Sequence, residues 1–129
     1  MKYIPFFLFF SLLIACKNSP KEDAVQQEVQ AFLDQYNIDF QKYLTASSEG
    51  QWLLNTHIVE GDTMTAHNAA LADEAFAKFT GSTKVIEQVR TYMESKDKLT
   101  PLQNRELATI LFMAGNNPET AGDVIKKRI

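Results

Sequence analysis

The chain has little cysteine, glycine or histidine, and each shortage excludes a kind of structure or chemistry. Among its 129 residues the only cysteine is Cys16, so no disulfide can form within the chain. The five glycines are scattered and form no glycine-rich loop that could cradle a phosphate. The two histidines, His57 and His67, lack the His-Glu-x-x-His spacing that holds a catalytic zinc ion on one helical face.

Positive charge is also scarce, with 13 Lys and Arg against 16 Asp and Glu and a formal net charge of −3. A protein that binds nucleic acid needs a basic face to neutralise phosphates. Electrostatic attachment to anionic lipid needs a basic surface as well. We therefore expect no nucleic-acid partner, and we expect any membrane attachment to be covalent.

The N-terminus has the pattern of an export signal. Lys2 is followed by residues 4–15, which are apolar apart from one proline and one serine. This run is too short to span a bilayer but has the length of a signal-peptide core. It ends in Leu13-Ile14-Ala15-Cys16, which resembles the lipobox of bacterial lipoproteins, where the cysteine thiol receives a diacylglycerol.

We therefore predict a lipoprotein signal peptide at residues 1–15, with the lipidated Cys16 and a polar tether at residues 16–23. An ordinary secretory signal with a cysteine near its cleavage site is the alternative. The anchor would place the protein in the bacterial cell envelope, attached to a bacterial membrane on the periplasmic side or at the outer-membrane surface. The sequence does not choose between these two locations.

The rest of the chain has helical periodicity, and no segment alternates apolar and polar residues as a half-buried strand does. Three helix starts combine a capping residue with proline at the first helical position: Ser19-Pro20, Thr100-Pro101 and Asn117-Pro118. The first two continue to Glu22 and Gln103, which completes the pattern of a capping box. Glycine marks two predicted helix ends, at Gly81 and Gly115.

The fold class is therefore predicted to be all-α, with one long N-terminal helix and about four further helices. In the first helix Gly50 is expected to cause a kink or a weak point, and Asp62 is the expected cap of the second. The apolar pattern is still in register at Ile129, so we expect a chain that has been truncated; a natural end is the alternative. The predicted helices are at residues 19–56, 62–80, 82–96 and 101–114, and from residue 118 onward.

A row of aromatic side chains follows the first helix at steps of three and four residues. We predict that these residues pack in the core; the alternative is that they line a groove for a ligand or partner. The row consists of Phe32, Tyr36, Phe40, Tyr43 and Trp52.

The other residues that could bind metal or take part in catalysis are expected to be ordinary surface residues. His57 and Glu60 fall on a predicted turn, where an isolated histidine is more often solvated than bound to metal. The acidic pairs Glu22-Asp23 and Asp73-Glu74 are expected to lie on solvated surface. No serine or threonine has a recognisable spacing to a histidine base.

An ordered set of short motifs resembles the N-terminal part of the angiotensin-converting-enzyme family, the peptidyl-dipeptidase A zinc metallopeptidases. The set comprises Phe32-Leu33 and Tyr36-Asn37 on the long helix, then Trp52, and then Asn55-Thr56 at the turn that follows. Family members commonly have Asn-Thr-Asn-Ile-Thr at that turn, whereas residues 55–59 here have histidine and valine at two of the five positions. The resemblance covers residues 24–129.

The resemblance implies that this chain is the lid-forming N-terminal part of a larger, mostly helical metallopeptidase with a deep cleft. The lid admits short, flexible peptides, and the zinc ligands and the glutamate base lie far downstream. It therefore implies no catalytic or metal-binding residue here, no cofactor in this chain, and zinc only in the full-length enzyme. Such a chain would be inactive alone, and its partner would be the missing C-terminal catalytic part.

Two alternatives remain open. The chain could be a stand-alone, lipid-anchored helical bundle that binds a peptide or protein partner, or it could be the inert product of a truncated gene. A self-sufficient domain should unfold cooperatively, whereas a lid without its enzyme should expose apolar surface.

Overall fold

The computed structural model describes residues 24–117, in which all regular secondary structure is helical. It contains no strand, which confirms the predicted all-α class for these residues. The predicted signal peptide, Cys16, the first capping box and the helix from Pro118 lie outside the described residues. The elements are α1 (Ala24–Thr56), α2 (Met64–Thr80), α3 (Thr83–Met93), a short 3-10 helix (Lys96–Lys98) and α4 (Pro101–Ala114).

The helix starts follow the predicted caps. Thr100 accepts a hydrogen bond from the backbone N–H of Gln103, whose side chain accepts from the Thr100 N–H, so the predicted capping box is confirmed. The carboxylate of Asp62 accepts from the backbone N–H groups of Met64 and Thr65, at 2.9 and 3.1 Å. The N-cap position itself is Thr63, one residue later than predicted, and Asp62 supplies the capping hydrogen bonds from the position before it.

The third helix is shorter than predicted. It ends at Met93 rather than at about Lys96, and a turn with a short 3-10 helix follows. This early end turns the chain and brings Leu99 into the core, where it is 7% exposed. Tertiary burial therefore overrides the helical propensity of residues 94–96.

The main core lies where the first half of α1 meets α3 and α4. Phe32 of α1 packs edge-on against Tyr92 of α3, with ring centroids 5.3 Å apart. Gln103 at the start of α4 donates from its side-chain amide to the backbone carbonyl of Gln26, at 2.9 Å. We call these three packed segments the body. Its buried apolar cluster consists of Val29, Leu33, Tyr36, Val89, Leu99, Leu107 and Ile110.

Beyond the body, α1 continues as one half of a two-helix hairpin with α2. Phe40 faces Phe76 at 5.5 Å between ring centroids, and farther along the hairpin Gly50 faces Ala69. These contacts pair increasing α1 numbers with decreasing α2 numbers, so the two helices are antiparallel. We call residues 44–72 the arm; within it, Ala69 is the only apolar residue that is buried.

Two glycines allow close backbone approach. Gly50 neither interrupts nor ends α1; a Cβ atom there would lie 3.0 Å from the Cα of Ala69, so the glycine lets the two arm helices touch. Gly81 ends α2 as predicted. A Cβ atom on Gly81 would lie 1.6 Å from the carbonyl oxygen of Asn117, so only glycine permits this junction between α2 and the chain after α4.

Candidate interaction surfaces

The residues that carry the family resemblance divide between the body and the arm. Leu33 and Tyr36 are buried in the core cluster, and Phe32 is half-buried against it. Asn37 is exposed and lines a groove between α1 and α4. The remaining positions, Trp52 and Asn55-Thr56, lie exposed at the far end of the arm. The structure therefore does not bring the seven residues together into one site.

The aromatic row is a core feature for four of its five members. Tyr36 and Tyr43 both stack on Phe79 of α2, with ring centroids 5.0 and 4.9 Å apart. Phe32 and Phe40 make the contacts with Tyr92 and Phe76 described above. The core prediction is wrong for Trp52, which is 69% exposed. It fails because α2 packs on one side of α1 and no other described element extends that far along the helix.

The tip of the arm is a helix end rather than the expected turn at Asn55-Thr56. Both residues belong to α1. The Asn55 amide donates to the carbonyl of Gln51 at 2.6 Å, and the Thr56 hydroxyl donates to that of Trp52 at 2.7 Å. Each bond runs to the carbonyl four residues earlier, a local side-chain bond that is common within helices, so both side chains are engaged with α1 itself.

A polar contact that the sequence did not predict joins α1 and α2 where the arm meets the rest of the hairpin. Asp73 of α2 is half-buried and accepts from the Ser47 hydroxyl at 2.6 Å and from the side-chain amide of Gln51. The surface prediction for the pair Asp73-Glu74 is therefore wrong for Asp73. It is correct for Glu74, whose carboxylate forms an exposed ion pair with Lys78 that lowers the pKa of Glu74. Nothing in the sequence of this acidic pair indicates that Asp73 faces α1.

Apolar exposure is concentrated on the arm. Of the eleven large apolar side chains that are exposed within residues 24–117, eight belong to it. Two helices can cover only one side of each other, so the remaining apolar side chains face solvent. Two of them, Trp52 and Leu53, line one shallow, mainly apolar depression, and exposed apolar patches are typical of protein–protein or membrane contacts. These eight are Leu44, Trp52, Leu53, Leu54, Ile58, Val59, Met64 and Leu71.

A second candidate surface is a groove of about 250 Å³ between α1 and α4. Its walls are mainly apolar, and one of its lining residues, Tyr36, carries an unpaired polar group. The hydroxyl of Tyr36 is shielded from solvent and has no hydrogen-bond partner among the described residues. Burial raises the pKa of Tyr36, so the hydroxyl keeps its proton and remains a donor. The groove is lined by Leu33, Tyr36, Asn37, Phe40, Arg105, Glu106, Thr109, Ile110 and Met113.

The histidines do not form a zinc site with their neighbours. His57 lies exposed in the α1–α2 loop, and His67 lies exposed on α2. The nearby Asp62 uses its carboxylate to cap α2. Within residues 24–117 no group of three or more His, Cys, Asp or Glu side chains is placed to hold a metal ion. The residues described here therefore do not fit a catalytic zinc ion.

The membrane prediction depends on Cys16, which lies outside the described residues. Within residues 24–117, none of the helices combines the length and apolar character needed to cross a bilayer.

Comparisons with known proteins found no match: no family model, no curated protein and no solved structure is similar enough to this chain to count as one.

Proposed function

We propose that this chain is the lid segment of a membrane-anchored zinc peptidyl-dipeptidase whose catalytic part lies outside these 129 residues. The observation that carries the proposal is the exposed apolar surface of the arm. The arm also carries three of the positions that resemble the family, because Trp52 and Asn55-Thr56 lie at its far end.

The arm has the geometry that a lid needs. Helix α1 has 33 residues, and at 1.5 Å per residue it is about 50 Å long. Its first half is held by the body, and its second half projects with α2. Docked on a cleft, such an arm would exclude water and large substrates while short peptides enter. Its role would be gating, and no bond-breaking step is assigned to its residues.

Attachment to the membrane completes the proposal. Lipidation of Cys16 would anchor the chain in the bacterial cell envelope, with residues 17–23 as the tether before α1. Metabolic labelling with a radioactive fatty acid should mark the wild-type chain and leave Cys16→Ser unlabelled. Labelling of both variants to the same extent would contradict the anchor.

A second candidate function follows from the body. Val29, Leu33 and Leu107 are at most 1% exposed, so the body has a core of its own. That observation favours a stand-alone, lipid-anchored bundle that binds a peptide or protein partner through the arm. The two candidate functions differ in the partner that the chain binds. Adding the chain to a zinc peptidase that lacks its own lid distinguishes them.

The test uses residues 17–129 together with the catalytic part of a bacterial peptidyl-dipeptidase from which the first helices have been deleted. The chain alone should release no dipeptide from a blocked tripeptide. When the chain is added to the catalytic part, cleavage of the tripeptide should stay unchanged. Cleavage of the C-terminal tail of a folded protein should fall at least about tenfold. A tenfold difference in rate between the two substrates needs only about 1.4 kcal/mol.

Trp52→Asp on the arm should weaken this selectivity, because a charge placed in an apolar contact is costly to desolvate. Ile38→Asp is the matched control, since Ile38 is 62% exposed on α1 but lies outside the arm. The lid proposal fails if the chain leaves the selectivity of the catalytic part unchanged. Zinc-dependent dipeptide release by the chain alone would also contradict it.

A further inference from the structure

Glu49 is a carboxylate without a partner in the apolar surface of the arm. It is exposed on α1 and forms no ion pair or hydrogen bond with any residue in the range 24–117. Asp62 and Asp73, by contrast, use their carboxylates in hydrogen bonds within the chain. Leu53 lies four residues after Glu49, so the two side chains share one face of the helix.

Two mainly apolar depressions meet at this pair of residues. The first lies on α1 and is lined by Ser48, Glu49, Trp52 and Leu53. The second has a volume of about 260 Å³ and lies between α1 and α2. Glu49 and Leu53 line both depressions, so apolar contact and one negative charge are combined on a single surface. We call the two depressions together the Glu49 surface. The small residues that line the second depression are Ala46, Gly50, Ala69 and Ala72.

The charge around this surface has only one sign. No lysine or arginine occurs between Lys42 and Lys78, whereas the arm carries Glu49, Glu60 and Asp62. Anionic lipid attracts basic segments, so it does not match this surface. A symmetric contact with a second copy of the chain would place the same acidic surface against itself. A basic partner provides the complementary charge.

We propose that the Glu49 surface binds an amphipathic helix of another polypeptide, with the apolar side of that helix against Trp52 and Leu53 and a lysine or arginine beside Glu49. The second depression is a channel between two antiparallel helices, and its small residues allow a third helix to approach closely. The inference holds under either candidate function, because it names the chemistry that the arm accepts.

Trp52 provides a direct measurement of binding at this surface, because it is the only tryptophan of the chain. The probe is a synthetic helical peptide of leucine and lysine with about 14 residues, roughly 21 Å long as a helix. Titrated into residues 17–129, it should move the Trp52 fluorescence to shorter wavelength as the indole becomes covered. Peptide binding that calorimetry detects without this change would place the contact elsewhere and overturn the inference.

Exchange of charge tests the role of Glu49. Glu49→Lys should weaken binding of the leucine–lysine peptide at least about tenfold and should strengthen binding of a matched leucine–glutamate peptide, because the attractive and repulsive pairs are interchanged. Glu87→Lys makes the same charge change on the exposed surface of α3 and should have little effect at physiological salt. If wild type and Glu49→Lys bind each peptide equally well, Glu49 does not select the partner.

A second variant tests the apolar part of the surface. Leu53→Ala should weaken binding of the leucine–lysine peptide about 3- to 10-fold, because apolar contact area is lost. Ile38→Ala is the matched control, since Ile38 is exposed on α1 outside the arm, and it should bind like wild type. Circular dichroism checks that both variants remain helical. Equal affinity of Leu53→Ala and wild type would contradict the proposed contact.

Other occupants of the surface would give different results. If the chain dimerises and Glu49→Lys abolishes the dimer, the occupant is a second copy. If replacing residues 126–128, which are Lys-Lys-Arg, by glutamine raises the peptide affinity severalfold, the chain's own C-terminal segment competes for the surface. A change of Trp52 fluorescence with anionic lipid vesicles but not with the peptide would indicate a membrane contact. Each of these results overturns the inference and leaves the gating test of the lid proposal unaffected.

Discussion

Asp62 shows how one side chain can organise the start of a helix. Its carboxylate accepts from the Met64 and Thr65 N–H groups and from the Thr65 hydroxyl, at 2.9, 3.1 and 2.5 Å. The side-chain hydrogen bond from Thr65 is the main reason that the pKa of Asp62 lies below its ordinary value of 3.8. The charged form is thus favoured in the folded chain, and it joins the arm loop to α2.

Asp62→Ala should lower the melting temperature near neutral pH and have a smaller effect in acid. Because the folded-state pKa is lowered, the stabilisation by Asp62 is present above its unfolded value and is lost as pH falls through the folded value. The melting temperatures of the wild type and Asp62→Ala, measured from neutral pH down to below the folded-state pKa of Asp62, give this pH dependence. Asp97→Ala is the control for the loss of one acidic charge. A deficit that is the same at every pH would contradict a role for the ionised carboxylate.

Gln103 is a second residue whose importance depends on its position. It is 4% exposed, and besides completing the capping box of α4 it donates to the Gln26 carbonyl and to the side chain of Gln30. One amide therefore caps one helix and joins it to another. A glutamine at that place in the sequence indicates the cap, but only packing reveals the bonds to α1.

At the scale of elements, the arm depends on close contact between α1 and α2. Glycine within a helix costs about 1 kcal/mol relative to alanine, so Gly50 is locally unfavourable. The structure accounts for it, since the Cα of Ala69 lies against the position that a Cβ atom would occupy. Ser47, about one turn before Gly50, and Gln51, the residue directly after it, bond Asp73 across the same interface.

Gly50→Leu should separate the arm helices while leaving the body folded. The added side chain has no space against Ala69, so the amides of α2 in the arm should lose protection from hydrogen exchange. Amides around Leu107 in the body should keep theirs, because the core cluster does not include Gly50. Ser48→Leu, at an exposed position on the same helix, should leave both regions unchanged. Equal loss of protection in arm and body would show that the two form one cooperative unit.

At the scale of the whole molecule, the chain combines a body with its own core and an arm that leaves apolar surface open. The body buries residues from α1, α3 and α4 around Val29, Leu33 and Leu107. The arm has two helices and exposes eight large apolar side chains. A molecule built in this way should fold alone and still present a surface suited to a partner.

Residues 17–129 should therefore unfold cooperatively and, while folded, bind a hydrophobic dye. Replacing Trp52 and Leu53 together by aspartate should remove much of the dye signal and change the melting temperature little, because both side chains are more than half exposed. Ile38→Asp should affect the dye signal much less. A sharply melting wild-type chain without dye uptake would show that the arm surface is covered, and would weaken the lid proposal.

The sequence alone determined the helices, because their signals are local. Periodic apolar residues, the capping box at Thr100 and Gln103, the Asp62 cap and the glycine at 81 each act within a few residues, so α4 was predicted to the residue and α2 to within two. Burial in the tertiary structure decided the rest. It ended α3 early to bury Leu99, turned Asp73 towards α1, placed Gly50 in a helix contact and left Trp52 exposed where no described element reaches it. Those outcomes depend on which helices pack against each other. The periodicity of apolar residues shows which side chains share one face of a helix, but it does not show which element packs against that face.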